Sequence, residues 1–247
     1  FKYILPVFLF SGTVMFSQGT SQIIVPNENL IAENIPAIPK SLSEKIKKYS
    51  ESRSANFTAI HPNGKELIMV TRFASTNQLH QISQPMGNRK QLTFFDEPVN
   101  SADYEPVKGE YLIYSKDIGG NEFGQLFRLD LKTMESKLLT DGGRSQNGGI
   151  MWKKDGSGFY FSSTKRNGGD RDVYFMNPLK PEETRLVLEV KGSGWRINDI
   201  KKKKKKLIIG EYVSANESHL YLFDTETQKL QSITDRNEKQ IVQGSAK

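Results

Sequence analysis

Short apolar runs recur along this chain, separated by polar turns, most of them bearing glycine. Leu67-Ile68-Met69-Val70, Tyr111-Leu112-Ile113-Tyr114, Phe159-Tyr160-Phe161 and Leu207-Ile208-Ile209 are apolar at successive positions, as expected of strands covered on both faces. Turn signals precede them: His61 to Gly64, Glu105 to Gly109, Lys154 to Gly156, and a lysine run before the fourth. A look-alike segment follows each run (LHQIS, LFRLD, VYFMN, LYLFD), opening at Leu79, Leu126, Val173 and Leu220, 47 residues apart. Threonine closes the fourth strand at Thr93, Thr140 and Thr234, whereas the third unit ends in Leu186-Val187-Leu188. A period of this length with no helical pattern inside it predicts an all-β fold. The expected architecture is a β-propeller or related array, with four four-stranded units over 51–238.

The flanks read differently. Lys2 precedes an apolar stretch from Tyr3 to Phe16 and then the polar QGTSQ, the pattern of a secretory signal peptide over 1–18. At about 14 residues the stretch is short for a membrane span, so no stable membrane insertion is expected. The segment 19–50 is expected to be an extended, proline-punctuated lead-in followed by a short helix. Ser41 would cap that helix, Glu44 occupies the capping-box position, and Leu42, Ile46 and Tyr49 form its apolar stripe. Ile241 to Lys247 resemble the first strand of a fifth unit, making 239–247 a truncated start and the ring incomplete. A signal peptide implies export, to the periplasm or beyond the cell.

Charge narrows the function classes. The formal net charge of +7 arises from 35 basic and 28 acidic residues, and six of the basic ones are the run Lys201 to Lys206. Without that run 29 face 28, so no basic stripe for nucleic acid is expected. The run itself reads as a solvated turn. With no cysteine, disulfides, thiolate metal sites and cysteine nucleophiles are excluded. No metal or nucleotide motif is present, so no metal site and no cofactor is expected; Asp170 and Asp172 do not continue as a calcium loop.

Several phrases carry a family resemblance. Ile60-His61-Pro62-Asn63-Gly64-Lys65-Glu66-Leu67 is similar to the repeat shared by TolB-type propellers and those of the prolyl oligopeptidase family. RKQLTFFDEPV (89–99), KDIGGNEFGQLFRLDL (116–131), LLTDGGRSQNGG (138–149) and STKRNGGDRDVYFMNP (163–178) are more specific. With Gly194-Trp195 and Glu211-Tyr212-Val213-Ser214, they resemble the N-terminal propeller of exported bacterial serine peptidases of the prolyl oligopeptidase family, over roughly 40–240. The resemblance implies a propeller of seven or eight blades capping an α/β-hydrolase domain. That cap would gate access so that peptides, the expected partners, reach a Ser-Asp-His triad. The alternative is a periplasmic TolB-like propeller acting as a non-enzymatic protein-binding scaffold.

The residues themselves offer no catalytic site. No G-x-S-x-G elbow occurs, and the nearest approach, Gly143 to Gly148, reads as a turn. His61, His80 and His219 have no nucleophile partner, so the catalytic residues are expected in a missing domain. In the family some inter-strand loops face the substrate cavity. Glu122, Arg144, Arg166 and Arg171 are therefore the candidate substrate-binding residues, able to meet peptide termini or carboxylates. The alternative reading is that such groups satisfy turn amides and pair between blades. Trp152 and Trp195, on first strands, are expected in the core.

Overall fold

A computed structural model describes residues 22–25, 30–201, 205–242 and 244. The expected signal peptide lies outside the described residues. The chain divides into two compact units, Phe1–Ser52 and Arg53–Lys247.

In the first unit the lead-in turns back on itself instead of running extended. Ile23 bridges Pro39 in antiparallel fashion, with Ile24 N–H donating to Ile38 O and Lys40 N–H to Gln22 O. The helix α1 spans Lys40–Ser50, its cap two residues earlier than the expected Ser41. Its N-cap is Pro39, extended at ψ 138°, and no side chain caps it. Ser41 is thus inside the helix and forms no capping box. Proline suits the entrance to a helix because it has no amide hydrogen to leave unpaired. The apolar stripe of Leu42, Ile46 and Tyr49 is exposed.

The second unit is built of four antiparallel sheets in strict meander order. The first contains β1 (Ala55–Ile60), β2 (Leu67–Thr71), β3 (Gln78–Ile82) and β4 (Lys90–Gln91). The second contains β5 (Ser101–Tyr104), β6 (Tyr111–Lys116), β7 (Gln125–Asp130) and β8 (Ser136–Leu138). The third runs through β9 (Asn147–Trp152), β10 (Phe159–Ser163), β11 (Asp172–Asn177) and β12 (Lys180–Leu188). The fourth comprises β13 (Trp195–Lys201), β14 (Lys206–Ser214), β15 (Glu217–Asp224) and β16 (Lys229–Ser232).

The period-2 geometry of strands explains why the second strands are apolar throughout. On β6, Leu112 and Tyr114 join a core with Ile68, Val70 and Leu79 of the first sheet. Tyr111 and Ile113, pointing the other way, join Phe159 and Phe161 of the third. On β10, Tyr160 faces the fourth sheet, packing with Leu207, Ile209 and Tyr221. Three cores therefore lie between four successive sheets. The first strands of neighbours lie against each other, β1 on β5 and β9 on β13, and the Thr58 hydroxyl donates to Ala102 O across the first junction. The sheets fan out from that side.

The 47-residue landmarks acquire physical causes. Leu79, Leu126, Val173 and Leu220 are buried. The hydroxyls of Thr93, Thr140 and Thr234 accept the amides of Leu79, Leu126 and Leu220, fastening the chain beyond the short fourth strand. In the third unit β12 is longer and pairs Leu188 with Val173 directly. Asp172 also accepts the Val190 amide, so no threonine is required there. At the far end, Ser218 N–H donates to Gln240 O and Val242 N–H to the Ser218 hydroxyl. This resembles the way Val99 N–H reaches Asn77 O and Asn147 N–H reaches Gly124 O as the second and third sheets begin. Residues 241 and 242 lie where a further sheet would start, but they form no strand.

Candidate functional site

A meander places alternate loops at opposite ends of a sheet. Loops joining second to third strands (72–77, 117–124 and 164–171) share an end with the connections from each fourth strand to the next sheet. All four candidate residues fall there.

This end is held by a polar residue immediately preceding each apolar landmark: Gln78, Gln125, Asp172 and His219, all buried. Gln125 is the fullest example. Its Nε2 donates to Gly143 O and Ser145 O, while its Oε1 accepts from the Thr140 hydroxyl and Gly142 N–H. Gln78 holds Phe95 by both amide and carbonyl. A single buried amide side chain thus satisfies a whole connecting loop. His219 contacts Glu217 at 3.0 Å instead, and the following loop is held by Ser218.

The loop 117–124 carries Glu122. Gly119 and Gly120 are left-handed there, as is Glu122 at φ 63°, whose amide donates to Asp117 Oδ2. The loop is tied to the preceding connection by Glu97, which accepts from Gly119 N–H and Lys116 Nζ at 2.8 and 3.1 Å. The Gly119 amide and then Lys116 pull the Glu97 carboxyl down to about 2. Phe123, beside Glu122, supports the exposed Arg144, whose guanidinium carbon is 4.9 Å from the ring centroid. Arg171 Nη2 donates to Gln146 Oε1 at 2.9 Å. The Phe123–Arg144 contact and the Arg171–Gln146 bond therefore place Glu122, Arg144 and Arg171 along one rim.

Arg166 is committed elsewhere. Its Nε and Nη2 grip both oxygens of Asp172 at 2.7 and 3.1 Å. Nη2 also reaches Asp170 and Val190 O, and Nη1 meets Glu189 at 3.3 Å. The Asp172 side chain has no exposed surface. Arg166 is therefore the counter-ion of a buried carboxylate, and of the four candidates Glu122, Arg144 and Arg171 remain at the rim. Ser145, in the approach to G-x-S-x-G, is buried. Its hydroxyl donates to Asp141 and accepts from Asn147, an arrangement that fixes a turn. Trp152 and Trp195 pack on the second and third inter-sheet cores.

Three kinds of solved structure share this architecture. TolB from Acinetobacter baumannii matches with a TM-score of 0.56 at 19% identity, over 74% of this chain and 44% of that one. A prolyl endopeptidase matches with a TM-score of 0.62 at 14% identity, over 79% and 32%. A puromycin hydrolase matches at 0.53 and 13%, over 75% and 30%. The sheets are propeller blades. No protein-family model and no curated protein matches the sequence. The chain spans less than two thirds of each of these structures.

A further titratable group lies on a first strand. Asp103, on β5, is pushed up to about 6 by burial. The folded protein holds this proton up to about pH 6, whereas the unfolded chain releases it near 3.8. Between those values the folded state binds more protons, so stability falls as pH rises and then levels off. Asp103→Asn is expected to raise stability above pH 6 by about 3 kcal/mol, the gain vanishing below about pH 4. Urea denaturation at pH 4 and 7.5 measures the difference. Among the described residues no group of three or more His, Cys, Asp or Glu side chains could hold a metal ion, and no helix is long and apolar enough to cross a membrane.

Proposed function

We propose that these blades are the substrate-gating portion of an exported serine peptidase of the prolyl oligopeptidase type. Acyl transfer would be carried out by an α/β-hydrolase domain outside them. The observation that carries this reading is where the family-like phrases fall. KDIGGNEFGQ and STKRNGGDRD both form second-to-third-strand loops at one end, joined to each other through Gln146 by way of Asn147 and Arg171. Glu122, Arg144 and Arg171 lie on that rim. The prolyl endopeptidase likeness, with its TM-score of 0.62, supports the same reading. In it the rim admits peptides and excludes folded proteins. The carboxylate of Glu122 would receive a cationic peptide group, and Arg144 an anionic one.

The TolB likeness supports a second reading, a protein-binding scaffold without enzymatic activity, since its identity of 19% exceeds the 14% of the endopeptidase. The product of the complete gene separates the two. The first reading expects a G-x-S-x-G serine labelled by a fluorophosphonate probe, and hydrolysis of peptides but not of folded proteins. Arg144→Ala is then expected to raise KM about five-fold, roughly the loss of one exposed charge-assisted contact, with kcat unchanged. A complete gene product without that serine, inert towards peptides, overturns the first reading and leaves the scaffold.

A further inference from the structure

At the rim end of the first blade, the loop 72–77 and the chain that follows β4 enclose a cavity of about 240 Å³. His80, on β3, lines it and is only 1% exposed. Its Nδ1–H donates to Gln78 O at 3.0 Å. A carbonyl can only accept, so in the neutral ring the lone pair sits on Nε2. That atom is buried and has no hydrogen-bond partner among the described residues. Gln91, opposite His80 on β4, gives its amide nitrogen to Thr93 O at 2.8 Å and turns an acceptor oxygen to the imidazole. Burial, chiefly, holds the imidazole below the ordinary histidine value, so the ring stays neutral and the lone pair free. A buried acceptor of this kind is costly until something supplies it with a hydrogen.

The open walls are aromatic. Phe73 meets His80 edge-on, with centroids 5.1 Å apart, and Phe94 is exposed. Phe95 also lines the cavity, but its ring stacks on Tyr114 and belongs to the core. Of the described residues in the lining, Asp96 alone carries a charge. The guanidinium carbons of Arg53 and Arg89 lie 5.8 and 5.6 Å from the Phe73 centroid. They oppose a cation as Asp96 opposes an anion, which favours a neutral guest. Position 80 also departs from the repeat. At the 47-residue spacing stand Phe127, Tyr174 and Tyr221, whose rings pack on the inter-blade cores. The first blade has a smaller ring there, with an unmet acceptor.

We propose that this cavity binds a neutral phenol, its hydroxyl donating to His80 Nε2 and its ring lying against Phe73 and Phe94. The volume, below that of sites for drug-sized molecules, suits a single ring. A tyrosyl side chain of a peptide and a free phenol share this chemistry.

p-Cresol is the probe. Calorimetric titration of the full chain is expected to show saturable binding of one equivalent. 4-Methylanisole, similar in shape but without the donor, should bind at least about ten-fold more weakly. The chain has three histidines, so nitrogen-15 spectra can follow each ring. The His80 Nε2 signal should move upfield with p-cresol and stay in place with 4-methylanisole. His80→Phe, the residue found at this position in the second blade, should remove the preference for p-cresol. The spectra are taken on the unaltered chain and decide the matter whether or not that variant folds. Phe94→Ala, at an exposed position, should weaken p-cresol about five-fold while leaving the melting temperature unchanged. A capped glycyl-tyrosyl-glycine peptide distinguishes the sources. Competition of the peptide with p-cresol indicates a tyrosyl side chain, and binding of p-cresol alone a free phenol; either supports the site. Equal binding of p-cresol and 4-methylanisole, absence of saturable binding, an unmoved His80 signal, or peptide binding without p-cresol binding overturns it.

Discussion

Tyr114→Ala is expected to destabilise the protein by about 4 kcal/mol, the cost of emptying a large aromatic site in a packed core. Tyr114 has no exposed surface and stands between the first and second blades. Its ring is stacked between Phe95 at 5.9 Å and Phe127 at 5.2 Å, and its hydroxyl meets Ser136. Burial pushes the phenol up to about 12, so the group stays neutral throughout the physiological range. Whole-domain stabilities of about 5–15 kcal/mol make such a loss a large fraction of the total. Tyr114→Phe, which keeps the ring and loses one hydrogen bond, should cost only about 1 kcal/mol. Denaturant titration of both variants checks the pair. Equal stability in the two would mean that the ring is not packed between blades.

Gln125→Leu is expected to cost about 3 kcal/mol. The substitution conserves volume roughly but leaves Gly142 N–H, the Thr140 hydroxyl and Gly143 O without their partner, while Ser145 O keeps only Asn147 Nδ2. Each buried polar group left unsatisfied costs about 1–3 kcal/mol, partly relieved by water. Gln125→Glu is the sharper variant. It keeps the shape and the acceptor towards Gly142, but an oxygen cannot donate to the carbonyls of Gly143 and Ser145. A comparable loss is therefore expected near neutral pH. Hydrogen exchange at Gly142 should accelerate in both variants. If exchange there is unchanged, Gln125 does not hold the connection between the second and third blades.

Much of this fold was legible in the sequence. The second strands are recognisable because a blade between two others must be apolar on both faces, and β6 and β10 are. The threonine spacing was visible as a pattern, and its cause is a single bond from a backbone amide to the hydroxyl, repeated in three blades. The polar residues at 78, 125, 172 and 219 follow the same 47-residue spacing, so the clamps could have been found by looking one position before each apolar landmark. The helix start was misplaced because Ser41 and Glu44 make a plausible capping box locally. The turned-back lead-in, with Lys40 bonded to Gln22, fixes the entrance at Pro39 instead.

The candidate site divides at the point where local chemistry ceases to decide. Glycine spacing and charge identified the loops, since only a turn tolerates Gly119-Gly120 beside Asp117 and Glu122. They could not separate Arg144 from Arg166, two arginines in similar polar, glycine-rich surroundings. Arg166 is held by Glu189 and Val190 as well as Asp172, and Arg144 rests on Phe123, some twenty residues away. Those distances in sequence are closed only when strands pair and blades stack. The sequence by itself determined the repeat, the strands and the ends at which loops gather, because these follow from period and polarity. The tertiary structure alone decided which charges are spent within the fold and which remain on the rim, because a charge is satisfied by whatever folding brings within hydrogen-bond reach.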